Sequence, residues 1–269
     1  MSRIKACFEQ LKSQGRKALV PFITAGDPAL DATVPLLHTL AENGADLIEI
    51  GIPFSDPMAD GPVIQLADER ALANGVTTHK VLDMVREFRK TNTTTPIILM
   101  GYLNPVEIYG YAQFAKDAAA AGVDGMITVD MPPEASRPLN DEFAKVGIDS
   151  IFLIAPTTLP ARIEKIAAAA KGYLYYVSLK GVTGAANLDV EAVQQKLETI
   201  RKITDLPITV GFGIKDAATA RAVGSIADGV VVGSALVNLV AQNQQNLPAL
   251  KASIAATMQS LRQGLDQSK

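Results

Sequence analysis

The sequence predicts a (β/α)8 barrel built as a single domain over residues 1–269, with an extra helix at each end. Three observations carry this reading. Eight short β-branched or aliphatic runs recur, alternating with stretches of helical period, which is the pattern of βα units on a parallel sheet. Several helical stretches stop at a glycine just before the next run, the chemistry expected where a helix hands over to a strand. No Pro/Ser-rich linker or charge run divides the chain. Length alone leaves room for about two domains, but eight strand–helix units in about 250 residues is the arithmetic of one barrel.

The elements follow in order. Residues 1–15 read as an amphipathic helix with Ile4, Phe8 and Leu11 on one face. The strand runs are 18–23, 46–50, 96–100, 125–129, 148–154, 173–177, 207–210 and 229–232. Helical candidates between them include 31–43, 111–121, 133–146, 160–170 and 190–203. The glycine stops are Gly44, Gly122 and Gly147. A last helix carries Leu247, Leu250, Ile254, Met258, Leu261 and Leu265 at i, i+3, i+4 spacing, suited to the barrel exterior. An open doubly wound sheet would want Gly-x-Gly-x-x-Gly after the first strand. Thr24-Ala25-Gly26-Asp27-Pro28 stands there instead.

Composition excludes several classes. Apolar residues make up 48% and aromatics 5%, so the core is Ala, Val, Ile and Leu and the chain is globular. The net charge is −3 with scattered basic residues, which leaves no footprint for nucleic acid. One cysteine, Cys7, forbids an internal disulfide, and His38 and His79 have no ligand-spaced neighbours, so no metal site is expected. No signal-peptide core or membrane-length apolar run is seen, so a soluble, cytoplasmic protein is expected. Tryptophan is absent.

Chemistry in such a barrel sits at the C-terminal ends of the strands. In the second run, alternation sets Ile48 and Ile50 on one face and Leu47 with Glu49 on the other. If the isoleucines meet the helices, Glu49 enters the barrel mouth, where desolvation raises its pKa toward that of a general acid/base. The alternative is a strand-end glutamate that reaches solvent or a lysine. The loop 53–62 then holds Asp56 and Asp60 among three prolines. These are ordinary turn formers, or a second carboxylate that accepts a hydrogen bond from a group turning positive in the transition state. Glycine-bearing segments follow the last three strands: Gly181-Val182-Thr183-Gly184, Gly211-Phe212-Gly213 and Gly233-Ser234. Their place and backbone freedom point to a phosphate site. Phe22, Tyr102, Tyr175 and Phe212 fall at or just past strand ends, as barrel filling or as a pocket for a flat apolar group.

These segments closely resemble the tryptophan synthase alpha subunit family. The run 47–62, Leu-Ile-Glu-Ile-Gly-Ile-Pro-Phe-Ser-Asp-Pro-Met-Ala-Asp-Gly-Pro, is similar to that family's signature throughout. Segments 22–28, 100–105, 176–178, 181–184 and 211–214 also resemble family motifs, in the family's order across nearly the whole chain. The resemblance implies a lyase that cleaves indole-3-glycerol phosphate to indole and glyceraldehyde 3-phosphate by a retro-aldol reaction. It implies Glu49 as the general acid/base, Asp60 on the indole N–H, Thr183 meeting Asp60 on loop closure, and Tyr175 flanking Glu49. It further implies Gly184, Gly213, Gly233 and Ser234 as phosphate donors, with Phe22, Tyr102 and Phe212 around the indole. No cofactor is implied in this chain. Pyridoxal phosphate is expected in a partner beta subunit that receives indole within an α2β2 heterotetramer. Leu179-Lys180 stands where many relatives have Arg-Ala, and Met100 and Val129 where some have Leu and Ala, which alters loop charge and pocket lining.

Two other readings compete. A Schiff-base aldolase could use Lys180 after the sixth run, but Tyr173, Tyr175 and Val177 share one face while Tyr176, Ser178 and Lys180 continue the other. A catalytically silent subunit that activates a partner is the second. Loops 53–62 and 179–189 are expected to act as lids that open without ligand.

Overall fold

The computed structural model describes residues 2–178, 189–211 and 213–268. Eight parallel strands close into a barrel in sequence order: β1 (Ala18–Thr24), β2 (Ile48–Gly51), β3 (Ile97–Gly101), β4 (Gly125–Thr128), β5 (Asp149–Ile154), β6 (Leu174–Val177), β7 (Ile208–Gly211) and β8 (Gly229–Val232). Closure comes from β1 pairing with β8, in the register Ala18 to Gly229 and Pro21 to Val232. This is the TIM-barrel architecture expected from the eight runs.

Twelve helices surround the strands among the described residues: α1 (Arg3–Ser13), α2 (Thr33–Glu42), α3 (Pro62–Ala73), α4 (Thr78–Arg89), α5 (Leu103–Tyr109), α6 (Tyr111–Ala121), α7 (Arg137–Val146), α8 (Pro160–Ala169), α9 (Val190–Arg201), α10 (Ala217–Gly224), α11 (Ser234–Gln242) and α12 (Leu247–Asp266). Gly122 and Gly147 take the left-handed conformation at the ends of α6 and α7, with φ of 94° and 79°, as the glycine stops predict. The stretch expected as one helix from 133 departs from the sequence reading. Pro132 and Pro133 begin tight turns closed by the Ala135 and Ser136 N–H groups, and the helix starts only at Arg137.

Strand alternation sorts the apolar residues into two layers. Ile48, Ile50, Leu99, Tyr176 and Val210 pack outward against the helices. Val20, Leu47, Ile98, Ile127, Ile151, Tyr173, Tyr175 and Val231 fill the interior. The interior layer continues into Ile4, Phe8 and Leu11, so α1 lies across the N-terminal end of the barrel as a plug. Burying each of those three side chains stabilises the fold by about 2 kcal/mol. A Cβ on Gly125 would come within 2.9 Å of the Ile4 side chain, so the smallest residue on β4 stands where the plug presses closest.

Charged locks hold the same end. Asp124, just before β4, accepts from Arg3 of α1 and Arg89 of α4, both at 2.7 Å, and from the Ile97 N–H at 2.8 Å. Asp46, before β2, accepts from Arg262 of α12 and from the Leu19 N–H, both at 2.8 Å. With its base closed, the barrel offers reactants its opposite, C-terminal end.

Candidate active site

Glu49 occupies the second position of β2 and is fully buried, with its neighbours Ile48 and Ile50 in the outer layer and Leu47 in the inner one. Its side chain therefore enters the barrel, as parity predicts. Oε1 accepts a 2.6 Å hydrogen bond from the Tyr173 hydroxyl. Oε2 is buried with no hydrogen-bond partner among the described residues. Desolvation pushes the carboxyl up to about 8, against the opposing pull of the Tyr173 donor. Among the described residues no cation offsets the burial, so the Glu49 carboxyl is poised to give and retake a proton near neutral pH.

Tyr173 is the residue that sequence reasoning missed as a functional group. It shares the inward face with Tyr175, and its ring lies 5.7 Å from that of Phe8 on the α1 plug. Packing from below thus fixes the ring, and the ring fixes the Glu49 carboxyl. Tyr175 is buried at the second position of β6, and its phenol is pushed well above its usual range by burial first and by the charges of Glu49 and Asp60 next. It therefore stands within the field of both carboxylates. Its hydroxyl lies over Gly211, where a Cβ would collide with it.

Asp60 closes the loop after β2 and is held from two sides. Its Oδ2 accepts from the Tyr102 hydroxyl at 2.7 Å, and its carbonyl accepts from Gln65 on α3 at 2.8 Å. The Tyr102 hydroxyl itself accepts the Ala59 N–H at 3.0 Å, so its single proton is directed at Asp60. Nothing among the described residues donates to Oδ1. Burial raises the Asp60 pKa and the Tyr102 donor opposes the rise. Tyr102 is buried and stacks on Phe54, with ring centroids 5.4 Å apart.

Phe22, at the C-terminal half of β1, lies between these groups and the last strand. A Cβ at Gly51 would approach its ring at 2.7 Å, and one at Gly233 at 3.6 Å. A small cavity is lined by Phe22, Asp60, Met100, Tyr102 and Val129, and by Asp68, a second residue that sequence reasoning passed over. A wider recess between α10 and α12 has none of these acid/base groups.

At the far side, Gly213 has a φ of 80° shortly after β7. Gly233 stands at the N-terminus of α11, followed by Ser234. The first backbone donors of α10 are occupied by its own Asp216–Thr219 capping box. Gly233 has no side chain to do the same for α11, so that helix keeps N–H groups available to an anion. Thr183, Gly184 and Phe212 lie outside the described residues, as do Lys180 and most of the second proposed lid.

Comparison with known proteins decides the family. Residues 8–266 match the family model described as tryptophan synthase alpha chain. The chain belongs to the tryptophan synthase alpha chain family. The alpha chain of Thioalkalivibrio sulfidiphilus is 56% identical over 266 residues, covering 99% of this chain and 100% of that one. That of Cupriavidus pinatubonensis is 57% identical over 263 residues, covering 97% and 99%. Among solved structures, the alpha subunit from Legionella pneumophila superimposes with a TM-score of 0.92 at 47% identity, with 99% of both chains covered. Tryptophan synthase from M. tuberculosis in an aminoacrylate-bound form gives 0.87 at 33% identity, covering 98% and 100%. The chain is accordingly a lyase of tryptophan biosynthesis that cleaves indole-3-glycerol phosphate, with indole passed to a beta subunit.

Proposed function

We propose that Glu49 and Asp60 divide the alpha reaction between them within one catalytic domain spanning residues 1–269. The protonated Glu49 carboxyl delivers its proton to indole C3. The ring nitrogen then carries positive charge, and the Asp60 carboxylate accepts a hydrogen bond from its N–H. Glu49, now ionised, takes the proton of the glycerol hydroxyl on the carbon attached to C3. The O–H electron pair forms the aldehyde, the carbon–carbon bond breaks, and its electrons return to the ring. Indole and glyceraldehyde 3-phosphate leave, and Glu49 is protonated again. The observation that carries this assignment is the pair of tyrosine-held carboxylates, Tyr173 on Glu49 and Tyr102 on Asp60.

In the same reading Tyr175 flanks Glu49, Thr183 meets Asp60 on loop closure, and Phe22, Tyr102 and Phe212 surround the indole. Gly184, Gly213, Gly233 and Ser234 receive the phosphate. The partner is a beta subunit carrying pyridoxal phosphate, in a cytoplasmic α2β2 assembly. Three of the most exposed large apolar side chains support a docking face at this end of the barrel: Met58 (83% exposed) after β2, Ile108 (83%) after β3 and Leu159 (71%) after β5. The isolated chain is expected to release indole from indole-3-glycerol phosphate, and added beta subunit to raise the rate. No indole with or without the partner would refute the reading. A borohydride-trapped substrate adduct on Lys180 would replace it with imine chemistry.

The Tyr173 bond gives a pH prediction. Its hydroxyl favours the ionised form of Glu49, so Tyr173→Phe raises the Glu49 pKa further above about 8. Activity that starts from protonated Glu49 falls as pH rises through that pKa, so the alkaline limb of kcat/KM should move to higher pH in the variant. Loss of one charge-assisted bond also lowers kcat by about fivefold. A limb that stays in place would show that Tyr173 does not act on Glu49.

A further inference from the structure

The closed end of the barrel touches the donor to Glu49. Tyr173 stands one residue before β6, and the pairing of that strand with β5 and β7 begins at Leu174. The Tyr173 N–H bonds locally, to the Lys171 carbonyl at 2.9 Å. The sheet ladder thus starts after this residue, and α1 packs against it instead. The Phe8 ring, 6% exposed, lies against the fully buried Tyr173 ring with 5.7 Å between centroids and 50° between planes. One residue earlier, a Cβ on Gly172 would stand 3.3 Å from the Ile4 side chain and 3.2 Å from that of Asp149. The helix is itself fastened, by Arg3 on Asp124 at 2.7 Å and by Ser2 on Asp149 at 2.5 Å.

Glu49 has no second anchor among the described residues, since its Oε2 lacks a partner. Its register neighbours are Phe22 on β1 and Ile98 on β3, both apolar. Tyr173 bonds it, and Tyr175 is the other titratable group that feels its charge. The polar side chains of α1 are engaged elsewhere: Arg3 pairs with Asp124, Lys5 with Glu9, and the Cys7 thiol meets the Asp46 carbonyl at 3.5 Å. What α1 brings to Tyr173 is an apolar ring, so its effect on Glu49 passes through the position of the phenol. That oxygen is the far end of a long rigid side chain, and a tilt of about 10–20° at the root is enough to break its bond. Close-packed interiors transmit such tilts because little free volume absorbs them.

We propose that Phe8 is a positioning residue for the alpha reaction, holding the Tyr173 ring from the closed end of the barrel so that its hydroxyl reaches Glu49. The proposal rests on the reading of Glu49 as the acid/base.

The test follows the pH profile of kcat/KM for indole release by the whole chain. Phe8→Leu keeps an apolar, helix-favouring side chain and removes the ring face. The alkaline limb should move to higher pH by about half a unit, because a donor to the ionised carboxyl is weakened, and kcat should fall about threefold. The inhibition constant of inorganic phosphate should stay unchanged. In a Tyr173→Phe background, where no hydroxyl remains to be positioned, Phe8→Leu should move neither the limb nor kcat further. Leu11→Ala loosens the same buried face of α1 about one turn further on, and should lower resistance to urea with the limb in place. A limb unmoved by Phe8→Leu, or moved equally in the Tyr173→Phe background or by Leu11→Ala, overturns the proposal. Should Phe8→Leu fail to fold, Phe8→Met, whose flexible chain fills irregular gaps, replaces it in the same comparison. Glu49→Gln separates the two layers of the argument. A fast Glu49→Gln removes the role of Glu49 and this proposal with it, whereas a slow one with any of the overturning results removes this proposal alone.

Discussion

Glu49→Gln is expected to lower kcat for indole release by about a thousandfold, since one side chain supplies both the acid and the base of the cleavage. Glutamine keeps the volume and can still accept from Tyr173, so the barrel interior is preserved while the transferable proton is lost. The chain contains no tryptophan, so indole fluorescence reports substrate and product without a protein background. A rate equal to that of the parent would refute the assignment of Glu49.

Stability supplies the control for that variant. In the folded chain the Glu49 carboxyl holds its proton up to about 8, whereas its ordinary value is 4.5. An acid with a raised folded-state pKa favours folding while it stays protonated and costs stability as pH climbs from the lower value through the higher one. Glutamine does not titrate, so Glu49→Gln should gain resistance to urea relative to the parent between those pH values. An inactive but more stable variant identifies a site under functional constraint rather than a damaged core.

Some of this arrangement was legible from single residues. Alternation in β2 placed Glu49 inward because Ile48 and Ile50 had to meet the helices, and the spacing of Ile4, Phe8 and Leu11 marked the buried face of α1. The glycine stops marked helix ends because only the local backbone decides them. What was not legible depends on contacts between distant segments. Tyr173 reaches Glu49 across 124 positions, and only its shared parity with Tyr175 hinted at the barrel interior. Asp68 reads as one polar residue among several in α3. Its place beside Asp60 in one cavity is set by how α3 packs on the barrel, which no local pattern encodes. The late start of α7 at Arg137 reflects the Pro132–Pro133 turns overriding an otherwise helical stretch.

Asp60→Asn is the second large effect, and it isolates charge from geometry. The asparagine carbonyl can still accept from Tyr102, and the backbone contact with Gln65 is untouched, so the loop keeps its place. What disappears is the negative charge opposite a ring nitrogen that becomes positive only after C3 is protonated. An interaction that strengthens in the transition state lowers kcat when removed and leaves ground-state binding nearly intact. The expected result is a fall in kcat of about a hundredfold, with KM and the inhibition constant of inorganic phosphate changed little. A large rise in KM with kcat preserved would mean that Asp60 merely holds the substrate, and the division of labour with Glu49 would then fail. Because the two carboxylates act on one transition state, the double variant should be little slower than Glu49→Gln alone. Without the C3 proton no positive charge develops for Asp60 to stabilise, so the second substitution has nothing left to remove.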